Sequence, residues 1–92
     1  MNRNRMYNYL KSKGMYAIFQ QRKGGYHVEF RLNHDLNQSD CTVVTDWGYI
    51  RHIYSIHLCR DEIVIEAYMD RMKINMYYRD IKKFEVMIVE EE

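Results

Sequence analysis

Proline is absent from the 92 residues, glycine occurs four times and cysteine twice. The missing proline, set against many Tyr, Asn, Ile, Met and Lys residues, reflects AT-rich codons, a composition common among bacteriophage and mobile-element accessory genes. No apolar run approaches the roughly 20 residues needed to span a bilayer. The basic start, Met1-Asn2-Arg3-Asn4-Arg5, is not followed by the apolar centre of a signal peptide. A cytoplasmic location is therefore expected, with Cys41 and Cys59 as thiols rather than a bridge.

Signatures of chemistry are equally sparse. Gly24-Gly25 is not followed by a lysine and a helix, and no GxGxxG occurs, so the sequence has no glycine-rich phosphate loop. His57 and Cys59 share a strand face at i and i+2, but no CxxC, HxxxH or HExxH supplies a second pair of ligands. The segment His34 to Asp40, HDLNQSD, lacks the spaced acids and terminal glutamate of an EF-hand and reads as a polar loop. No metal and no cofactor is expected. Cys41, Cys59, Ser39 and Ser55 sit in no nucleophile signature, while Asp61, Glu62, Glu66, Asp70 and Asp80 fall at turns or outer strand faces where carboxylates are normally solvated. The expectation is a non-enzymatic protein with no catalytic residues.

What is present is an ordered globular composition, 47% apolar with 14% aromatic and 29% charged residues, in a length that suits one domain spanning residues 1–92. The net charge of +1 conceals a split. Residues 1–33 hold seven Arg and Lys against Glu29 alone, whereas residues 34–92 hold seven against twelve Asp and Glu. Such asymmetry suits a basic face for an anionic partner, or attraction between the two portions within the fold or across a dimer.

Hydrophobic alternation is most regular between Glu62 and Val89. A two-residue turn at Asp70-Arg71 pairs Met69 with Met72, Ala67 with Ile74, Ile65 with Met76 and Ile63 with Tyr78, so that core positions meet core positions. A turn at Arg60-Asp61 likewise sets Leu58 against Ile63 and Ile56 against Ile65. Neither turn contains glycine, which leaves room for a longer loop. Upstream, Asn4 to Lys13 reads as a helix with Gly14 at its C′ position and Met6, Tyr9 and Leu10 on one side. Met15 to Gln21 and Tyr26 to Asn33 read as a hairpin around Gly24-Gly25, with either Ile18 or Phe19 opposite Phe30. Cys41 to Thr45 is a short strand. Tyr49 to Cys59 fits a strand better than a helix because it is rich in β-branched and aromatic residues, with Ile50, Tyr54, Ile56 and Leu58 inward. Ile81 plugs the connection before a last strand, Phe84 to Glu90. The fold class is α+β and mostly β: a short N-terminal helix plus an antiparallel meander of six to seven strands, as a small barrel or a helix-covered sheet.

Two classes of partner fit these residues. Ile53, Val64, Tyr68, Tyr77, Met87 and Val89 fall on outer strand positions; of these, Ile53, Tyr68, Tyr77 and Met87 make the candidate apolar interface for a protein partner or a second copy. The composition makes a phage-encoded, anti-CRISPR-like inhibitor of a host protein such as a defence nuclease the most specific expectation. Its partner- or anion-binding residues would be Arg3, Arg5, Lys11, Lys13, Phe19, Arg22, Lys23 and Arg31. The alternative is that this basic, aromatic third binds single-stranded nucleic acid, RNA or a signalling nucleotide directly, because cations beside stacking rings suit both phosphate and base.

Overall fold

The structure, a computed structural model, describes residues 3–19, 27–32 and 41–88. Among these residues one helix, α1 (Arg3–Ser12), precedes eight strands: β1 (Met15–Phe19), β2 (His27–Leu32), β3 (Cys41–Thr45), β4 (Gly48–Arg51), β5 (Ile53–Cys59), β6 (Ile63–Met69), β7 (Met72–Tyr78) and β8 (Phe84–Ile88). They form two antiparallel sheets, one ordered β1-β2-β5-β6-β7 and the other β4-β3-β8. The mostly β, helix-led class is as expected; of the two arrangements expected, a small barrel or a helix-covered sheet, the barrel is not formed, the strands described number eight where six to seven were expected, and the meander is interrupted. β3 leaves the larger sheet and pairs with β4 and β8, so two open sheets close over one core in place of a continuous ribbon.

The C-terminal hairpins follow the alternation residue by residue. Ile63 faces Tyr78, Ile65 faces Met76, Ala67 faces Ile74 and Met69 faces Met72, while Leu58 faces Ile63 and Ile56 faces Ile65. The Asp70-Arg71 turn is as short as drawn, with both residues at positive φ (51° and 68°), the conformation of a type I′ turn. Ile81 is buried, as the plug reading requires.

Two registers differ from expectation. In the first hairpin Met15 pairs with Leu32, Ala17 with Phe30 and Phe19 with Val28, so neither Ile18 nor Phe19 lies opposite Phe30. Small Ala17 leaves room above Phe30 for Tyr7 of α1, whose ring meets Phe30 edge-on at 5.3 Å and Phe19 at 6.0 Å. Docking of the helix thus selects the register. The segment 49–59 is also two strands. His52, at φ 59°, turns the chain from the smaller sheet into the larger, and its carbonyl accepts from the amide of Tyr68 at 3.0 Å. An irregularity between Ile53 and Ser55 then shifts the alternation by one residue. Ile53, expected outside, is completely buried, and Tyr54, expected inside, lies on the outer side.

The helix ends with Gly14 at φ 85°, and its Leu10 is fully buried. Its Tyr9 hydroxyl accepts from the Val86 amide at 2.9 Å, joining α1 to the edge of β8. The core between the layers draws on Leu10, Phe30, Val43, Ile53, Ile56, Leu58, Ile65 and Val86. Asp46, in the β3–β4 turn, accepts from the Lys82 and Lys83 amides at 2.8 and 2.6 Å and so pins the connection into β8.

Candidate functional site

The outer face of the larger sheet carries a polar cluster assembled by alternation. β2 contributes His27, Glu29 and Arg31, β5 contributes Ser55, His57 and Cys59, and β6 contributes Glu66. The pairing sets His27 against Cys59, Glu29 against His57 and Ser55 against Glu66. His27, Glu29, Ser55 and His57 are all buried. His27 Nε2 lies 2.7 Å from His57 Nδ1, and His57 Nε2 contacts the Glu66 carboxylate. Ser55 Oγ donates to Glu66 at 2.8 Å and lies 3.0 Å from His57 Nε2. Lys73 Nζ approaches the other Glu66 oxygen at 3.3 Å. Arg31 is paired with Glu29, whose carboxylate favours the charged guanidinium.

Above this network Tyr54 sits with Arg31 at 5.1 Å and Lys73 at 4.6 Å from its ring centre, and it meets Tyr68 edge-on at 5.8 Å. Serine, histidine and glutamate in one network invite comparison with a hydrolytic triad. A triad needs serine and carboxylate on opposite imidazole nitrogens. Here both meet Nε2, Nδ1 is taken by His27, and the serine is completely buried. Among the described residues no group of three or more His, Cys, Asp and Glu is arranged to hold a metal ion. The chemistry available is mutual satisfaction of buried polar groups, which orders the outer face.

A second polar region is a cavity of about 250 Å³ lined by Arg3, Arg60, Asp61, Glu62, Ile63, Tyr78, Asp80 and Ile81. Two cations and three acids share it, and Arg79 lies 3.9 Å from Glu62. Arg3 is thereby set among carboxylates.

The structure divides the basic residues of the N-terminal third. Arg5 and Lys11 are exposed on α1, and Lys13 is exposed in the turn after it, over the Tyr9 ring at 5.5 Å. α1 covers the inner side of the sheet, whereas Arg31 lies on the outer side with Glu29 and Tyr54. Phe19 is 70% exposed at the end of β1. Arg22 and Lys23 lie outside the described residues, as do the Gly24-Gly25 turn, the loop 34–40 and Val89.

The expected apolar interface is divided as well. Ile53 is core; Tyr68 is half-buried and Tyr77 exposed on the outer face of the larger sheet; Met87 is exposed on the smaller one. Tyr68, Tyr77 and Met87 are not sealed beneath α1. Sequence reasoning missed the face that Met87 belongs to. Thr42 pairs with Arg51 and Met87, and Val44 with Tyr49 and Glu85. Tyr49 is 66% exposed and Met87 49%, and Arg51 stacks over Tyr49 at 5.4 Å, whereas Trp47, 65% exposed in the β3–β4 turn, packs against Tyr78 of β7 at 5.8 Å. The available signal was the alternation of Cys41 to Thr45, which puts Val44 outside while Val43 is inside. Among the described residues no helix is long and apolar enough to cross a membrane. Compared with protein-family models, with curated proteins and with solved structures, the chain matches none.

Proposed function

We propose that this chain is a non-enzymatic binding protein that acts by occupying the surface of a protein partner, with the outer face of β4-β3-β8 as its docking surface. The carrying observation is the concentration of Tyr49, Val44 and Met87 on that face. Aromatic, methionine and arginine side chains are the types that anchor protein interfaces, and Arg51 lies among them. Beside the face runs α1, joined to β8 through Tyr9, with exposed Arg5 and Lys11, no acidic residue, and exposed Lys13 in the turn that follows it. The complementary partner is a protein with an apolar patch bordered by acidic side chains. A phage-encoded inhibitor of a host protein is the narrower form of this reading, supported by composition alone.

Affinity capture from bacterial lysate, with cross-links mapped by mass spectrometry, tests it. Cross-links should fall on β4, β8 and α1, and the double variant Tyr49→Glu, Met87→Glu should lose the partner while Tyr77→Glu keeps it. Capture unaffected by the double variant sinks the reading. Oligonucleotide binding that weakens log-linearly with salt and depends on Lys11 and Lys13 would put nucleic-acid binding in its place.

A further inference from the structure

We propose that a second copy of this chain adds to the larger sheet along β7, on a two-fold axis through Ile74, to give one continuous sheet of ten strands. β7 is an edge strand of seven residues, paired with β6 at every position without a bulge. Because Met69 and Met72 close the two-residue turn, Met72, Ile74, Met76 and Tyr78 direct their main-chain groups toward β6. Lys73, Asn75 and Tyr77 direct theirs to the open side.

The other described edges offer less. β4 has four residues, and the β8 edge uses its Val86 amide on Tyr9. β1 has five residues and lies beside α1. β7 has no proline, no bulge and no inward charge; its one charged residue, Lys73, is on the outer face, where it approaches Glu66 at 3.3 Å. Its inner row is incompletely covered, with Ile74 and Met76 half-buried and Met72 68% exposed, opposite Met69 of β6 at 55%.

Self-complementarity identifies the occupant. A two-fold antiparallel pairing keeps inner residues opposite inner residues, so its axis must pass through a residue of the strand. An axis at Lys73 opposes that lysine to itself, one at Asn75 opposes Arg71 to Arg79, and one at Met76 opposes Lys73 to Arg79. At Ile74, Met72 meets Met76, Lys73 meets Asn75, Arg71 meets Tyr77 and Asp70 meets Tyr78, with no like charges opposed. Ile74 meets itself and extends the apolar row across the junction. Tyr49 and Met87 lie in the other sheet, with Trp47 of the β3–β4 turn against Tyr78 at 5.8 Å, and the Tyr49→Glu, Met87→Glu and Tyr77→Lys variants test the two surfaces apart.

Sedimentation equilibrium over a concentration series, with amide exchange by NMR, tests the assignment. A monomer–dimer equilibrium is expected, with the amides of Lys73, Asn75 and Tyr77 becoming protected as concentration rises. Tyr77 is exposed, so its replacement spares the core, which thermal melts verify. Tyr77→Lys sets a cation against Arg71 twice per dimer and should weaken association about tenfold, whereas Tyr77→Glu should preserve it. A monomer at every concentration overturns the proposal. So does a dimer in which those three amides exchange as in the monomer, or one that Tyr77→Lys leaves as tight as before.

Discussion

His27 Nε2 and His57 Nδ1 face each other at 2.7 Å across neighbouring strands β2 and β5. At that distance one nitrogen donates and the other accepts, so a single hydrogen fills the gap, and a second would set N–H against N–H. The far nitrogen of His57 is committed to Glu66, which also receives Ser55 and Lys73. Glu66 is therefore the anchor of the outer-face network, and its loss leaves several buried groups short of a partner.

Glu66→Gln should destabilise the fold by about 1–3 kcal/mol in urea titrations at neutral pH. Burial alone would push the Glu66 carboxyl up, but hydrogen bonds from Ser55 and His57, the adjacent imidazole and Lys73 together hold it below the usual carboxylate value. The resulting stability is present above the unfolded value of about 4.3 and is lost as pH falls through the lower folded value. Acid unfolding of the wild type should steepen in that window, and the glutamine variant should be flatter there. Equal slopes would show that Glu66 is not held low.

The β6–β7 turn places two non-glycine residues, Asp70 and Arg71, at positive φ. Side chains other than Gly, Asn and Asp pay a steric cost there, and Asn-Gly is the preferred pair of a type I′ turn. Asp70→Asn with Arg71→Gly should raise stability by about 1 kcal/mol. Thermal melts at low protein concentration check it, and an unchanged or lower midpoint contradicts the turn assignment.

Cys41 is completely buried in β3, and burial pushes its thiol up to about 12. Pulsed alkylation of the native protein should label the half-buried Cys59 before Cys41, as read by peptide mass spectrometry. The unfolded chain ionises this thiol near about 8.5 while the folded chain keeps it protonated, so stability should decline as pH rises above that value. The decline should approach roughly 1.4 kcal/mol per pH unit from this group. Replacing Cys41 by alanine should remove that slope while costing stability of its own through the cavity left behind.

The fold was legible wherever neighbours in sequence are neighbours in space. Ile56, Leu58, Ile63, Ile65, Ala67, Ile74 and Met76 announce their pairing through alternation and turn length alone, because a hairpin slip of one residue would reverse every face. The polar cluster was not legible. His27 and His57 are thirty residues apart, and β2 meets β5 only because β3 and β4 leave the larger sheet.

Local pattern therefore determined the helix ending at Gly14, the strands apart from the break at His52, the C-terminal hairpins and the inward plug at Ile81, since each depends on short-range geometry and burial period. Tertiary structure decided the rest. Docking of Tyr7 on Phe30 selected the β1–β2 register, and the corner at His52 with the shift at Tyr54 sent Ile53 inward. Closure of two sheets over one core divided the cations of α1 from Arg31 and gave Tyr49 and Met87 a common outer face. Those outcomes follow from which layers pack together, a relation that no stretch of alternating residues contains by itself.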